Sequence, residues 1–289
     1  TLVICSLCFY YFLLPRDEIK NLATGYVQSQ INSHNKANYK IVNKRPYKWI
    51  KLKNINIRAY QAIMISEDSF FYKHKGIDLS QVKEAVKEKI NGRRMRGAST
   101  ITQQVVKNLF LTPDKNIWRK LKEMGFSVYL EKNVSKNKIL ELYLNIIEYG
   151  PGIYGINAAA EHYFKKYPNN LTAKEGAFLA MLLPNPKNYG ESFTKGKLTP
   201  YAIKTMKNII TKMQVAKFIN KSDAEIAMQQ AFSWEEGSTD DYEALGEGDM
   251  FDGSSEQLKK DILEQDKEEN QKYVNGRKNI FSKICGIFK

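Results

Sequence analysis

The chain has 289 residues, is 43% hydrophobic, and carries 45 basic against 31 acidic residues, enough apolar material for one substantial core with appendages. From Glu235 to Lys289 there are 14 acids against 8 bases, which leaves 37 bases and 17 acids before that point. The main domain is therefore strongly basic, and its partner is expected to be anionic: nucleic acid, a membrane surface, or a substrate such as a phosphate ester. The cysteines, Cys5, Cys8 and Cys285, all lie outside the central region, which excludes a disulfide framework or cysteine metal site there.

The opening segment TLVICSLCFYYFLLP, Thr1–Pro15, has no charged residue and is followed abruptly by Arg16, Asp17 and Lys20. It is shorter than the roughly 20 residues that span a bilayer and reads as the end of a truncated transmembrane helix over residues 1–20, with a buried core helix or a signal-peptide remnant as alternatives. Residues 21–54 are polar and weakly periodic, as in a linker or a small membrane-proximal lobe. From Ile55 to about residue 215 helical signals are dense and no alternating strand pattern competes, so the fold is expected to be mainly α. An apolar stripe of Ala59, Ala62, Ile63 and Ile65 runs into Glu67. Asp78, Thr100, Ser135 and Thr172 are placed as N-caps, with Gln103 in capping-box register to Thr100. The flexible cationic stretch NGRRMRG, Asn91–Gly97, separates the first two helices after the acidic and aromatic segment SEDSFFYKHKG, Ser66–Gly76. YGPGIYGI is expected to form a glycine-rich turn. Residues 216–289 read as an acidic, largely disordered extension, because EEGSTDDYEALGEGDMFDGSSEQ cannot bury much. Its last residues, NIFSKICGIFK, form an amphipathic face that suits a membrane surface or docking on the main domain.

The candidate chemistry lies in and after the acidic and aromatic segment. Glu67 and Asp68 stand where an apolar helix ends and Phe70, Phe71 and Tyr72 follow. Aromatic shielding raises a carboxyl pKa and suits it to general acid or base work. Arg119 and Glu123 are four apart on an expected helix and share a face, as do Lys115 and Arg119. Lys107 sits one turn into the helix opened by Ser99 and Thr100. With Arg93, Arg94 and Arg96 these groups compose an anion site fit for a pyrophosphate. Two carboxylates beside a phosphate cradle point to group transfer from a phosphate ester.

Four blocks in this order carry a resemblance: EDSFFYKHKG (Glu67–Gly76), GASTITQQVVKN (Gly97–Asn108), RKLKE (Arg119–Glu123) and KNKILELYLN (Lys136–Asn145). The chain resembles the peptidoglycan glycosyltransferases, lysozyme-like enzymes that polymerise lipid II, and most of all the monofunctional form that lacks a penicillin-binding domain. The resemblance covers about Ile55 to Met213. It implies that Glu67 is the general base that deprotonates the acceptor sugar's 4-hydroxyl, and that Glu123 assists by positioning, electrostatics or metal contact. It further implies that Lys107, Arg119 and Lys136, joined by Lys115, hold the donor pyrophosphate, and that Asp68, Gly97, Ser99, Thr100, Gln103 and Gln104 contact substrate or line the cleft. Lipid II, the growing glycan chain, the membrane and other cell-wall synthesis proteins are the implied partners, with no nucleic acid. No cofactor is required by the sequence, and Mg or Mn could neutralise the pyrophosphate. The implied location is the cytoplasmic membrane, single-pass, with the catalytic domain outside the cytoplasm.

The charge pattern agrees with transfer. A glycosidase must protonate a poor leaving group, whereas pyrophosphate leaves readily and asks mainly for positive charge. The competing readings are a lytic peptidoglycan-cleaving enzyme of the same broad fold and a catalytically silent, membrane-tethered basic protein. The pattern departs from the family near YAIKTMKNIITKM, where Ile203, Thr205 and Met206 occupy the stretch in which the family often has arginine, leaving Lys204 or Lys207 to substitute. His74 is read as a structural hydrogen-bonding residue, and Tyr143, Leu140 and Leu144 as core.

Overall fold

The computed structural model describes residues 14–83, 99–114 and 116–235. The expected membrane segment up to residue 13, the arginine loop with Gly97, Lys115, and the acidic tail with its terminal amphipathic face lie outside the described residues.

The architecture is mainly helical, as the periodicity implies. In chain order it comprises α1 (Arg16–Asn21), a hairpin of β1 (Tyr26–Ile31) and β2 (Ala37–Val42), a 3-10 turn (Leu52–Asn54), and α2 (Ile57–Glu67). It continues with α3 (Ile101–Phe110), α4 (Ile117–Asn133), α5 (Lys136–Ile146), and a second hairpin of β3 (Glu148–Gly150) and β4 (Ile153–Tyr154). The remainder is α6 (Ile156–Phe164), α7 (Ala173–Leu182), α8 (Glu191–Thr194), α9 (Pro200–Val215) and α10 (Lys221–Gln229). Among the described residues no helix is long and apolar enough to cross a membrane.

Local capping sets several of the helix starts. Thr100 and Gln103 form a reciprocal capping box on α3, and Thr172 and Glu175 form another on α7. Ser135 accepts from the Lys138 amide at the start of α5. Asp78 Oδ1 accepts from the Ser80 and Gln81 amides, so a helical turn begins there as expected. The helices pack in two groups. α2 and α7 lie together with α9 across both, while α3 packs on α4 and α5. The buried residues of both groups, from Ile63 and Phe71 to Tyr143 and Phe178, form one continuous core.

Three segments depart from the sequence reading, two of them by forming hairpins. The polar stretch before Ile55 contains an antiparallel hairpin in which Val27 faces Ile41 and Ser29 faces Tyr39. Tyr39 donates to the Ile146 carbonyl at 2.8 Å. After the hairpin the chain is stitched to α5: Glu141 accepts from Trp49 Nε1 and the Leu52 amide, both at 3.0 Å, and Asn145 bonds both backbone groups of Ile50. The YGPGIYGI turn likewise carries a short two-stranded pairing, β3 with β4.

The third correction concerns the C-terminal extension expected from residue 216. Its first twenty residues belong to the packed body. Ile219, Ala224, Ala227 and Phe232 are buried in the common core. Phe232 and Trp234 stack at 4.9 Å. Lys174 donates to the Gln230 carbonyl and stands 4.8 Å from the Phe232 ring centroid. In KSDAEIAMQ the buried Ala224 and Ala227 stand three apart on one face of α10, and together with Ile219 and Phe232 on either side of the helix they make this packing.

Close approach of α2 and α7 depends on a glycine. A Cβ at Gly176 would fall 2.5 Å from Ala59 Cα. Gly176→Ala is expected to lower stability by about 1–3 kcal/mol by forcing the two helices apart, measured as a shift in the urea unfolding midpoint.

Candidate active site

Glu67 is the last residue of α2, and Asp68 is its C-cap, with φ −158° and ψ 80°. This departure from helical geometry separates the two adjacent carboxylates. Glu67 faces α3, where Gln104 Nε2 donates to its Oε2 at 2.8 Å. Burial pushes the Glu67 pKa above the ordinary glutamate value and the neighbouring Asp68 charge adds to the rise, while the Gln104 hydrogen bond and the Lys107 charge oppose it. The carboxyl is thus held as a weak acid whose ionised form has one fixed donor and one nearby cation.

Asp68 was expected among the substrate contacts, and the structure turns it inward instead. Its Oδ2 accepts from the Ile101 amide at 3.0 Å, at the first turn of α3, and its two oxygens lie 3.0 and 2.9 Å from His74 Nε2. A carboxylate at a helix N-terminus satisfies an amide that lacks an intrahelical partner and meets the positive end of the dipole. Asp68 therefore ties the end of α2 to the start of α3, and His74 has the structural role read from the sequence. Gly76 closes the segment with φ +87°, where a Cβ would meet the Ser127 carbonyl oxygen at 2.7 Å. Its own carbonyl accepts from Thr100 Oγ1 at 2.8 Å.

Thr100 and Gln103, expected to line the cleft, are also structural. Both are buried, and their side chains are committed to the capping box and to Gly76. Gln104 is the member of this block that reaches the carboxylate.

The second carboxylate sits on α4. Glu123 is buried, Arg119 Nη1 donates to its Oε2 at 2.7 Å, and Lys120 Nζ donates to its Oε1. Lys120 also donates to Ser99 Oγ at 3.1 Å, joining the residue just before α3 to the Arg119–Glu123 pair. Lys120 escaped the sequence reading, although its spacing of three from Glu123 is as helical as that of Arg119. Glu123 therefore holds two cations side by side at the N-terminal end of α4.

Lys136 and Lys107 behave differently. Lys136 is paired with Glu131 at 2.6 Å and stands 4.3 Å from the Phe71 ring centroid, while Thr102 Oγ1 donates to the same Glu131 oxygen at 2.6 Å. It is not free to reach a ligand without giving up that pair, and burial lowers its pKa. Lys107 is exposed on α3, with its charge acting on Glu67. On α9, Ile203 and Met206 are buried core; Lys204 is exposed and Lys207 half-buried, and among the described residues no contact links either to Glu67 or Glu123.

The described residues include no group of three or more His, Cys, Asp or Glu that could hold a metal ion. Glu123 has both oxygens taken by cations, so the described residues do not fit a protein-held divalent ion.

A half-buried carboxyl with a raised pKa, bonded to Gln104 and acted on by the Lys107 charge, is suited to acid–base chemistry. Comparison with known proteins gives the class its name. The family model described as Transglycosylase matches residues 34–214, and the chain belongs to that family. A biosynthetic peptidoglycan transglycosylase of Nitrosomonas eutropha is 37% identical over 175 residues, 60% of this chain and 70% of the relative. One from Shewanella amazonensis is 43% identical over 143 residues, 50% of this chain and 58% of that relative. A third, from Nitrosospira multiformis, is 35% identical over 195 residues, 67% of this chain and 82% of the relative.

Because Asp68 links two helices, Asp68→Asn is expected to destabilise the protein by about 1–3 kcal/mol through the weakened His74 and Ile101 bonds. Chemical unfolding of the variant measures this.

Proposed function

We propose that this chain polymerises lipid II into glycan strands for the bacterial cell wall, a reading supported by relatives named biosynthetic peptidoglycan transglycosylases. The observation that carries the reading is the half-buried Glu67 on α2, hydrogen-bonded to Gln104 and acted on by Lys107, in a chain whose α4 also holds Arg119 and Lys120 on one carboxylate. The family's lysozyme-like architecture is carried over on the same grounds.

In this reading Glu67 accepts the proton of the acceptor sugar's 4-hydroxyl. The oxygen attacks the anomeric carbon of the growing chain, the bond from that carbon to the pyrophosphate oxygen breaks, and the lipid pyrophosphate leaves with the electron pair. Attack opposite the leaving group inverts an α-linked donor to a β-1,4 linkage. Arg119 and Lys120, held in place by Glu123, face the negative charge that grows on the leaving group, and Lys107 adds to the field beside Glu67. Ser99 helps fix Lys120. Glu123 positions the cations and takes no proton. A lytic enzyme would have to protonate an alkoxide leaving group and would gain little from two cations held side by side, whereas a pyrophosphate leaving group asks mainly for positive charge.

The lipid-linked substrate places the work at a membrane. The uncharged stretch Thr1–Pro15 supports an anchored, single-pass protein of the cytoplasmic membrane with its catalytic domain outside the cytoplasm. Exposed Ile117, Trp118 and Leu121 at the start of α4, with Arg119, Lys120 and Lys122 among them, suit an anionic lipid surface beside the site. Other cell-wall synthesis proteins are the further partners in this setting.

Glu67→Gln is expected to reduce strand formation from labelled lipid II by about 10²- to 10⁴-fold while donor binding persists. Near-normal polymerisation by the variant would remove Glu67 as the base. The wild-type rate is expected to fall as pH drops through a value above 4.5, the ordinary glutamate pKa, because protonation of Glu67 removes the base. A pH profile of kcat/KM checks the position of that limb.

A further inference from the structure

Tyr143 on α5 is fully buried, and its hydroxyl donates to Gln104 Oε1 at 3.3 Å. The other end of the same amide, Nε2, donates to Glu67 Oε2 at 2.8 Å. An amide has two faces of opposite character, and here a hydroxyl holds one while a carboxylate holds the other. Among the described residues the hydroxyl of Tyr143 has this one hydrogen-bond partner. If Gln104 turned over, the Tyr143 proton would be left without an acceptor in a dry interior, and a carbonyl oxygen would face the carboxylate of Glu67. Both changes are costly, so the phenol selects the amide orientation that supports ionised Glu67.

We propose that Tyr143 is a positioning residue for the transfer reaction, acting through Gln104 to hold Glu67 in its ionised, base-competent form. The proposal rests on Glu67 as the base. It assigns to the fourth sequence block a role in proton transfer, where its tyrosine had been read as core. The amide bond works against the burial of Glu67. The charged and titratable groups facing Glu67 are Asp68 beyond the end of its own helix, Lys107 on α3, Tyr143 on α5 and Tyr149 on β3. Tyr149 is buried with no hydrogen-bond partner for its hydroxyl among the described residues, so it offers Glu67 no direct donor that could replace Gln104. Burial and the Glu67 charge together keep both phenols un-ionised.

The test uses the full chain with lipid II. Tyr143→Phe removes one oxygen and keeps the ring. It is expected to lower kcat about tenfold with KM little changed, and to move the acidic limb of the kcat/KM profile to higher pH. Gln104→Met, which cannot donate, is expected to move the limb in the same direction by at least as much, and the double variant to be no worse than Gln104→Met alone. A role confined to core packing would lower the unfolding midpoint and leave the limb in place, and that result in Tyr143→Phe overturns the proposal. An unshifted limb in Gln104→Met overturns it as well, whatever the fate of Tyr143→Phe. Glu67→Gln, run in parallel, separates the two readings. If it still turns over at the wild-type rate, the base assignment fails; if it is inactive while Tyr143→Phe leaves the limb unmoved, the base stands and Tyr143 has no part in positioning it.

Discussion

One carboxylate at the end of one helix organises this structure. Glu67 is carried into the wall of the body by the apolar stripe of α2, and burial there pushes its pKa above the ordinary glutamate value. A single amide donor from α3 and a cation one turn along the same helix oppose that rise. Much else near the site fixes the distance between α2 and α3. Asp68 caps α3, His74 holds Asp68, Gly76 receives the Thr100 hydroxyl, and Gln103 completes the cap. Asp68, Thr100 and Gln103 thus form a frame that keeps Gln104 opposite Glu67.

The cationic side follows a complementary logic. Arg119 and Lys120 are adjacent and would repel each other, and Glu123, buried between α4 and its neighbours, binds both. Neutralising one unit of charge lets the two cations stand together at the helix end with net positive charge remaining. The same carboxylate is thereby removed from proton chemistry. The two glutamates share a residue type and differ in surroundings: one meets an amide and the other meets two cations.

Features written in local spacing were legible in the sequence. The caps at Thr100, Ser135 and Thr172, the Arg119–Glu123 pair and the position of Glu67 at a helix end all depend on neighbours within four residues. The first hairpin was not, because YVQSQI buries only Val27 and owes its place to distant anchors such as the bond from Tyr39 to Ile146. The inward turn of Asp68 was hidden for a related reason. Adjacent carboxylates look alike in sequence, and only the non-helical backbone at residue 68 sends them to different partners. Lys136 reads as a free cation until Glu131 and Phe71 are seen around it, and Tyr143 reads as core until Gln104 is found at its hydroxyl.

The central claim is that Glu67 remains a weak acid in the folded protein, its burial only partly offset by Gln104 and Lys107. Carbon-13 observation of glutamate side-chain carboxyls, with the Glu67 signal assigned by its loss in Glu67→Gln, measures this without reference to turnover. The account predicts a titration midpoint above the ordinary value of 4.5. A midpoint at or below that value would contradict it, since Glu67 would then be an ordinary solvated acid with no special fitness to take a sugar's proton.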